Sequence, residues 1–325
     1  MKPRVLVTRR LPVVSLSHLE SVCEVDLYTK NEAMSPDELK RRVHGKDGLV
    51  CLMTDQVDCA VIKAGSNLRI IANVAVGHDN IDIPCARSRG IIVTNTPDVL
   101  TEAVADLTLG LMLTISRRIV EGDRLVRSGS WAGWSLDFML GMELRGKQCG
   151  IIGSGRIGRA VALRASAFGM RVVFARHGEC KSNHSVQALN TSDNDTWISL
   201  DKLLETSDVV SLHVPLTEQT KHLINRQALM RMKQTAYLIN VSRGSVVDEK
   251  ALAWALNSKL IAGAALDVYE REPSVHPDLL GLETVVLSPH LGSGTRETRS
   301  AMADLAVANT ISVLSGKSPL TPITP

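Results

Sequence analysis

The sequence of 325 residues lacks several features that define whole classes of protein. No stretch approaches the roughly 18 consecutive apolar residues of a membrane-spanning helix, so we predict no membrane partner. No block of lysine and arginine exceeds a few residues and the formal net charge is only +3, which disfavours nucleic acid but permits a small anion. The segment from Met1 to Arg10 lacks the apolar core and cleavage site of a signal peptide, which predicts a cytoplasmic protein.

Patterns that indicate disulfides or metal sites are also missing. The histidines show no i, i+4 or other metal-ligand spacing, so we predict no bound metal. The cysteines contain no C-x-x-C pair, and most have apolar neighbours. We therefore expect buried reduced thiols rather than a disulfide or zinc framework. The six cysteines are Cys23, Cys51, Cys59, Cys85, Cys149 and Cys180.

What the sequence does contain is a repeated alternation of short apolar runs with stretches of helical periodicity. Near-continuous β-branched runs are typical of parallel strands that are covered on both faces. We therefore predict an α/β fold with two doubly wound parallel-sheet domains, one a Rossmann-type cofactor domain and the other a flavodoxin-like substrate domain. The runs lie at residues 5–7, 49–52, 69–74, 91–93, 149–152, 171–174, 208–212, 236–239 and 264–266.

Helix signals indicate where the domains begin and end. Ser35-Pro36-Asp37-Glu38 predicts a helix start, with serine as the N-cap and proline at the first helical position. The apolar-periodic segment Val99–Val126 predicts one long helix that bridges two lobes. A strand-like run at 284–288 is followed by a predicted helix from about Thr295 to Leu314, which we expect to return to the first lobe.

These boundaries make the first lobe discontinuous. We assign residues 1–98 and 288–325 to the substrate domain and residues 99–287 to the dinucleotide-binding domain. Ligands of open α/β sheets bind beyond the carboxyl ends of the strands. We therefore expect the chemistry to lie in a cleft between the lobes.

The cofactor prediction rests on Gly153-Ser154-Gly155-Arg156-Ile157-Gly158, which follows an apolar strand and opens a helix. In G-x-G-x-x-G, the first glycine allows a tight turn, the second lets backbone N–H groups approach a pyrophosphate, and the third allows close helix packing. The helix N-terminus favours the negative phosphates. A glycine-rich turn that merely closes a loop is the alternative. The predicted contacts are Gly153, Gly155, Arg156, Ile157 and Gly158.

The next strand predicts which cofactor is preferred. An acidic residue usually ends that strand and accepts hydrogen bonds from the adenosine ribose of NAD. Here the strand ends in Phe174-Ala175-Arg176-His177. With Arg176 available to pair with a 2′-phosphate, and His177 beside it, we predict NADPH over NADH. Arg176 could instead be a solvated surface residue.

Three further segments each follow a predicted strand and carry residues with catalytic chemistry. They are Asn240-Val241-Ser242-Arg243-Gly244, Asp267-Val268-Tyr269-Glu270-Arg271-Glu272-Pro273 and Ser288-Pro289-His290-Leu291-Gly292-Ser293. Carboxyl ends of parallel strands meet at one edge of a sheet. The arginine, a glutamate and the histidine could therefore converge despite their separation in the chain.

With these motifs the sequence resembles the D-isomer-specific 2-hydroxyacid dehydrogenases over almost its whole length, and among them most closely the glyoxylate/hydroxypyruvate reductases. The resemblance rests on an ordered set of motifs. They are Val76-Gly77-His78-Asp79-Asn80-Ile81-Asp82, Thr94-Asn95-Thr96-Pro97, the glycine turn, His213-Val214-Pro215-Leu216-Thr217, Val241-Ser242-Arg243-Gly244, Gly263-Ala264-Ala265-Leu266-Asp267-Val268 and Ser288-Pro289-His290.

The resemblance implies a catalytic group of Arg243, Glu272 and His290. Arg243 would bind the substrate carboxylate and keto oxygen through its planar fork. His290 would donate a proton to the carbonyl oxygen, with Glu272 favouring the imidazolium. Glu272 rather than Glu270 is selected because it immediately precedes Pro273. Taken singly, each residue could be a capping, core or solvated residue.

Further contacts are implied by the same resemblance. Asp267 would orient the nicotinamide carboxamide, and Val241 and Ser242 would line its ring. Pro215, Thr220 and Gly292 complete the predicted cofactor contacts. For the small anionic 2-keto acid, backbone N–H groups at Val76 and Gly77 would hold the carboxylate, and Leu52 and Met53 would shape the pocket.

The resemblance also implies a homodimer formed through the cofactor domains. Trp134, near Trp131, would then reach the partner's active site and limit substrate size, or would only pack at the interface. Two other functions remain open. One is oxidation of a larger D-2-hydroxy acid or of phosphite by the same residues, and the other is a corepressor-like protein that senses its cofactor.

Overall fold

The computed structural model describes residues 2–176 and 196–323, and the predicted contact His177 lies outside these ranges. The strands are β1 (Arg4–Val7), β2 (Glu24–Leu27), β3 (Gly48–Cys51), β4 (Ile70–Asn73), β5 (Ile92–Thr94), β6 (Gln148–Ile152), β7 (Arg171–Ala175), β8 (Thr196–Ile198), β9 (Val209–Leu212), β10 (Tyr237–Asn240), β11 (Gly263–Leu266) and β12 (Val285–Leu287).

The helices cover the faces of the sheets. They are α1 (Val13–Val22), α2 (Pro36–Val43), α3 (Cys59–Ala64), α4 (Ile83–Ser88), α5 (Thr101–Ser116), α6 (Ile119–Arg127), α7 (Arg156–Ala167), α8 (Leu200–Thr206), α9 (Arg226–Arg231), α10 (Glu249–Asn257), α11 (Pro277–Leu280) and α12 (Arg296–Leu314). No helix in the described ranges has the length and apolar character of a membrane span.

The strands form two sheets in which the recorded strand pairings are parallel. The five-stranded sheet has the order β2-β1-β3-β4-β5, and the seven-stranded sheet has the order β12-β11-β10-β9-β6-β7-β8. The first order is that of flavodoxin-like folds, and the second is a Rossmann order extended by one strand at the β12 edge. The predicted α/β class with two parallel sheets is confirmed.

Two short strands, β2 and β8, escaped the sequence pattern because both are edge strands that begin with an exposed polar residue and contain no fully buried one. In β2, Glu24 is exposed and the other three residues are half-buried. In β8, Thr196 is exposed and the two residues after it are half-buried. An edge strand has one neighbour and some contact with solvent, so it needs no continuous apolar run. The pattern that found the central strands was therefore absent here.

The chain divides into two compact units, residues 1–100 with 293–325 and residues 101–292. The second boundary falls five residues after the predicted limit of 287. Backbone hydrogen bonds explain the difference, since the Ser288 N–H donates to the Leu266 carbonyl and the His290 N–H donates to the Asp267 carbonyl. The segment after β12 therefore stays attached to the seven-stranded sheet.

Helix α12 belongs to the first unit because its side chains complete that unit's core. Ala306 and Val307 are buried in one cluster with Val5 and Val50. The guanidinium of Arg69 donates to the carbonyls of the last two residues of α12, at 2.9 and 3.1 Å. These donors satisfy carbonyl groups that have no partner within a helix end.

Helix α2 begins as the sequence predicted. Ser35 is its N-cap, and the serine hydroxyl accepts a hydrogen bond from the Glu38 N–H at 3.3 Å. This bond satisfies one of the amides that the first turn of a helix leaves without an internal partner. Pro36 occupies the first helical position, where its missing N–H costs nothing.

The single long helix predicted for Val99–Val126 is wrong, because the chain forms α5 and α6 with a break between them. Arg118 takes the left-handed conformation, with φ of 54°. The carbonyl of Ser116 accepts the Met142 N–H at 2.8 Å. Gly141 passes so close that an added Cβ would lie 2.3 Å from that carbonyl oxygen. A contact from a distant segment thus ends α5, and a local periodicity contains no sign of it.

The expectation that all cysteines are reduced is also wrong, since Cys59 and Cys85 form a disulfide with a Cα–Cα distance of 5.5 Å. They lie 26 residues apart, in α3 and α4. The bridge between Val57 and Ile81 brings the starts of these helices together. Cys23, Cys51 and Cys149 are buried free thiols, and Cys180 lies outside the described residues. Burial raises the pKa of the Cys149 thiol to about 12.

Candidate active site

The glycine turn lies at the point where the order of the seven-stranded sheet reverses, between β6 and β9. Gly153 has φ of 108°, and an added Cβ would lie 2.4 Å from the carbonyl oxygen of His213. A Cβ on Gly158 would lie 1.9 Å from the carbonyl oxygen of Gly153. At these two of the three glycines, neighbouring backbone atoms lie so close that a side chain would not fit. Such a reversal point is where open α/β sheets bind ligands.

Gly155, the second glycine of the motif, faces open space. A Cβ added to Gly155 would meet nothing within 4 Å. Gly155 is also the N-cap of α7, and it provides no side-chain hydrogen bond to the first turn. Arg156 and Ile157 open that turn. Backbone amides at a helix start favour an anion, so the residues present fit the pyrophosphate of a dinucleotide.

Three further predicted cofactor residues lie after β7 and β9, the strands on either side of β6. Arg176 follows β7, is exposed, and places a guanidinium nitrogen 3.5 Å from the Trp197 carbonyl. Pro215 and Thr220 belong to the loop after β9. The Thr220 hydroxyl donates to the Pro215 carbonyl at 2.6 Å, so this threonine holds the shape of the loop.

His213, which directly follows β9, is a histidine whose backbone lies against the glycine turn. Its Nε2 lies 2.8 Å from the Ser211 hydroxyl, and burial lowers the pKa of the imidazole to about 3. The ring is therefore neutral at ordinary pH. A neutral imidazole is a weak proton donor, which leaves His290 as the stronger candidate for an acid.

The loop that carries Arg243 is organised by Asn240, the last residue of β10. The Asn240 amide group donates to the Arg243 carbonyl at 2.9 Å, and its oxygen accepts both the N–H and the hydroxyl of Ser242. Val241 and Ser242 therefore lie in a short loop that is fixed at both ends. We did not predict this role for Asn240. A buried amide at the end of an apolar strand was the available signal.

His290 and Glu272 form a direct pair. Nδ1 of His290 lies 2.8 Å from a carboxylate oxygen of Glu272, and the two side chains are 27% and 30% exposed. The other oxygen of Glu272 accepts the Tyr269 N–H at 3.1 Å. Glu270 makes no such contact and instead faces His222. The choice of Glu272 over Glu270 therefore agrees with the observed geometry.

The ionised form of Glu272 is stabilised by the groups around it. Partial burial raises the pKa of Glu272, but the hydrogen bond and charge of His290, the Tyr269 N–H and the charge of Arg243 outweigh it and lower the pKa below its ordinary value. Arg243 is therefore close enough to interact electrostatically with this carboxylate. The three residues lie together, as we expected from their positions after parallel strands.

Asp267 fixes the backbone of the segment that contains His290. One oxygen of Asp267 accepts the Leu291 N–H at 2.7 Å, and the other accepts the Gly292 N–H at 2.8 Å. His290 itself has φ of 54°, a left-handed conformation that is uncommon for a residue with a side chain. These bonds hold that conformation. Asp267 and Gly292 thus position His290, whatever further contact they make with a cofactor.

Within the first unit, the predicted substrate residues lie in loops that follow β3 and β4. Asn73 donates to the carbonyl of Gly77 at 2.8 Å, and Asn95 donates to the carbonyl of Val76 at the same distance. The Leu52 N–H donates to Asp55 at 2.8 Å, and Met53 follows it in this loop. The side chains of Asn73, Asn95 and Asp55 therefore hold the two loops, although no role was predicted for them.

Trp134 projects from the segment that follows α6. Its residue surface is 77% exposed. Trp131, in the same segment, bonds through its ring N–H to the carbonyl of Gly133. The described chain thus leaves the large apolar surface of Trp134 in contact with solvent.

The glycine turn and the residues around His290 together indicate one class of enzyme. A glycine turn at the switch point of a parallel sheet binds a dinucleotide. An imidazole paired with a carboxylate, beside an arginine, is suited to proton transfer on an anionic substrate. Together they are typical of a nicotinamide-dependent dehydrogenase.

Comparisons with known proteins identify the family. The NAD binding domain of the D-isomer specific 2-hydroxyacid dehydrogenases matches residues 109–292. Glyoxylate reductases of Thermofilum pendens and Korarchaeum cryptofilum are each 48% identical over 322 residues, which is 98% of this chain and 93% and 95% of those proteins. An NADPH-dependent glyoxylate/hydroxypyruvate reductase of Sinorhizobium meliloti, solved with NADP and malonate, has a TM-score of 0.85 and 34% identity, covering 100% of this chain and 97% of that one.

The chain therefore belongs to the D-isomer specific 2-hydroxyacid dehydrogenase family, and the resemblance inferred from its motifs is confirmed. It is an oxidoreductase with a nicotinamide cofactor, and its reaction is the reduction of a keto acid to a hydroxy acid. The catalytically silent alternative, a corepressor-like sensor, is not favoured.

Proposed function

We propose that this enzyme reduces glyoxylate and hydroxypyruvate to the 2-hydroxy acids, giving the D isomer where the product is chiral. The observation that carries the proposal is the 2.8 Å pair of His290 and Glu272 with Arg243 close by. The full-length similarity to two glyoxylate reductases supports the choice of a small 2-keto acid. Both proposed substrates present a carboxylate next to a carbonyl group.

Arg243 binds the substrate in this proposal. Its guanidinium offers two parallel N–H groups to the carboxylate, which fixes the direction of the adjacent carbonyl. Asn240 holds the carbonyl of Arg243, and one nitrogen of the guanidinium donates to the Ser242 carbonyl at 2.9 Å. The arginine is thus partly ordered before substrate arrives, which lowers the entropy lost on binding. Leu52, Met53, Val76 and Gly77 are proposed to complete substrate binding.

His290 supplies the proton. The carboxylate of Glu272 accepts from Nδ1 and favours the imidazolium, so Nε2 can donate a proton to the keto oxygen. The bound nicotinamide supplies the hydride that reaches the carbonyl carbon. In the opposite direction, neutral His290 accepts the hydroxyl proton. We propose that Pro215, Thr220, Val241, Ser242, Asp267 and Gly292, together with the glycine turn, hold the cofactor.

NADPH is the proposed cofactor, in preference to NADH. Arg176 follows β7 and is exposed, with no carboxylate preceding it in Phe174-Ala175. A guanidinium here attracts a 2′-phosphate, whereas an acidic residue would repel it. His177 is proposed as a second contact. The Sinorhizobium meliloti relative, which is described as NADPH-dependent, supports this choice.

The test is a substrate panel with both cofactors. Oxidation of NADPH and of NADH is followed with glyoxylate, hydroxypyruvate, pyruvate and larger 2-keto acids. We expect the largest kcat/KM for glyoxylate or hydroxypyruvate with NADPH. Arg176→Ala should then lower kcat/KM for NADPH by about 10-fold and leave that for NADH nearly unchanged, because one charge-assisted contact is lost.

Each part of the proposal can fail separately in this panel. A higher kcat/KM for a larger 2-keto acid would contradict the proposed choice of substrate. In a separate assay, reduction of the oxidised cofactor by phosphite would show that phosphite is the substrate instead. A preference for NADH would contradict the cofactor. Lys202→Ala is a suitable control for Arg176→Ala, since Lys202 is an exposed cation of the same unit.

We also propose a homodimer in which Trp134 lies near the partner's active site. Trp131, Trp134, Leu136 and Leu140 are exposed apolar residues within ten positions of one segment. Contiguous apolar surface of this kind marks an interaction site. Sedimentation at low concentration should give a dimer. Trp134→Ala should change KM for hydroxypyruvate relative to glyoxylate, and unchanged values would leave packing as its sole role.

A cytoplasmic location remains a prediction of the sequence. It agrees with the use of NADPH, a reductant of the cell interior. The Cys59–Cys85 disulfide points the other way, because such bonds are uncommon in reducing compartments.

A further inference from the structure

Outside the predicted catalytic group, the second unit contains a buried carboxylate that the proposed reaction does not use. Glu249 is the first residue of α10 and is 5% exposed. Carboxylates are almost never buried without a partner. Its contacts therefore indicate what it does.

Glu249 interacts with backbone amides on both sides of the turn that carries Glu272. One of its oxygens accepts the Glu270 N–H at 2.8 Å. The backbone N–H of His276 lies near enough to lower the pKa of this carboxyl. Glu272 lies between these two amides, in a tight turn where the Ser274 N–H bonds to the Arg271 carbonyl.

The contact between Glu249 and Glu270 is reciprocal, because each carboxylate accepts the backbone N–H of the other residue. The carboxylate of Glu270 accepts the Glu249 N–H at 2.9 Å, which satisfies an amide at the start of α10. The second oxygen of Glu270 lies 3.2 Å from Nε2 of His222. The backbone N–H of His222 in turn donates to the Ser245 carbonyl at 2.7 Å. The segment is therefore tied to two others through side chains.

The same segment is in direct backbone contact with the loop of Arg243. A Cβ added to Gly244 would lie 1.8 Å from the carbonyl carbon of Tyr269 and 2.3 Å from the Glu270 nitrogen. Movement of the Tyr269–Glu270 peptide would therefore disturb both Glu272 and Arg243. The positions of Glu272 and Arg243 therefore both depend on this peptide.

We propose that Glu249 is a positioning residue that, by bracketing the 269–276 segment, sets the distance between Glu272 and His290. This inference rests on the proposed function. Glu249 acts through the backbone amides of Glu270 and His276 and does not contact the substrate. Burial raises the pKa of Glu249 and the charge of Glu270 raises it further, while the amides of Glu270 and His276 lower it. Those amides therefore stabilise the ionised form.

The test is Glu249→Ala, assayed in keto-acid reduction over a range of pH. Loss of the bracket should lower kcat by about 10-fold, while KM for the keto acid and for NADPH changes less than about 2-fold. The acid limb of the kcat profile should move to higher pH, because a looser Glu272 loses part of the contacts with His290 and the Tyr269 N–H that lower the pKa of its carboxyl. Arg243 and Tyr269 also face Glu272 and are unchanged in this variant.

Two further variants separate positioning from stability. Glu249→Gln keeps a carbonyl acceptor and should restore most of kcat and the position of the limb. Asp201→Ala removes an exposed acidic residue from the first turn of α8 and should behave as the wild-type enzyme. If Glu249→Ala does not fold, Glu249→Asp, which withdraws the carboxylate by one methylene, should show a smaller loss of kcat with the same direction of shift.

Failure of the inference can be distinguished from failure of the proposed function. A wild-type pH profile and kcat in Glu249→Ala, or in Glu249→Asp, would overturn the inference while the enzyme remains a keto-acid reductase. Amide exchange provides a readout without turnover, since the Glu270 and His276 amides should exchange faster in Glu249→Ala. Unchanged exchange overturns the bracket even if no 2-keto acid is reduced.

Discussion

Replacement of His290 by asparagine should lower kcat for glyoxylate reduction by about 1,000-fold, because the proton donor is lost. Asparagine is the informative choice for two reasons. Its amide can still donate to Glu272, and it tolerates the left-handed backbone conformation that His290 adopts, with φ of 54°. The variant should therefore fold and bind cofactor normally.

The measurement is kcat by NADPH oxidation together with the Kd for NADPH. His44→Asn, at an exposed position after α2, is the matched control and should retain full activity. If His290→Asn kept more than about a tenth of wild-type kcat, His290 would not be the acid. A large increase in Kd for NADPH would instead indicate that the loop had collapsed.

Arg243→Lys should have the second large effect, a fall in kcat/KM for the keto acid of about 100-fold. Lysine keeps the positive charge and loses the planar pair of N–H groups that fits a carboxylate. The fall should appear mainly in KM, because carboxylate binding is present in the ground state. It should also reduce kcat, since the carbonyl direction becomes less defined.

The control for Arg243→Lys is Arg231→Lys, a surface arginine that pairs with Asp201 and Glu205. That variant should differ from wild type by less than about 2-fold. Equal kcat/KM in Arg243→Lys and wild type would show that a point charge is sufficient, and bidentate recognition would then be wrong. Loss of NADPH binding in this variant would place Arg243 with the cofactor instead.

The central strands and the glycine turn could be predicted because their signals are local. Continuous apolar runs such as Ile70-Ile71-Ala72 mark strands that are covered on both faces. Gly153, Gly155 and Gly158 are recognisable by their spacing together with the apolar strand before them and the helix after them. Edge strands β2 and β8 carried no such signal, since each is partly exposed to solvent.

The predicted catalytic group converges for a similar reason. Arg243, Glu272 and His290 each follow a strand of one parallel sheet, in which β10, β11 and β12 are neighbours. Parallel strands place their carboxyl ends at one edge. The motifs and the topology together were therefore sufficient to place these residues near one another, and the pKa of Glu272 reflects their charges.

The contacts between distant segments that hold the site in place could not be predicted. Glu249 and Glu270 look like solvated glutamates in the sequence, yet they bond to each other's backbone amides. The break between α5 and α6 depends on Met142, and the disulfide depends on the adjacency of Val57 and Ile81. None of these pairings lies within the span of a helical or strand repeat.

The central parallel strands and the dinucleotide turn follow from the amino-acid sequence, since periodicity and spacing over a few residues are local, and the catalytic residues, including Glu272, follow from its resemblance to a family. The tertiary structure was needed to show how Asp267 and Glu249 hold the catalytic loops and which cysteines are joined. The reason is physical. Hydrogen bonds between distant segments depend on the relative positions of whole strands and helices, and those positions are fixed by packing of the complete chain.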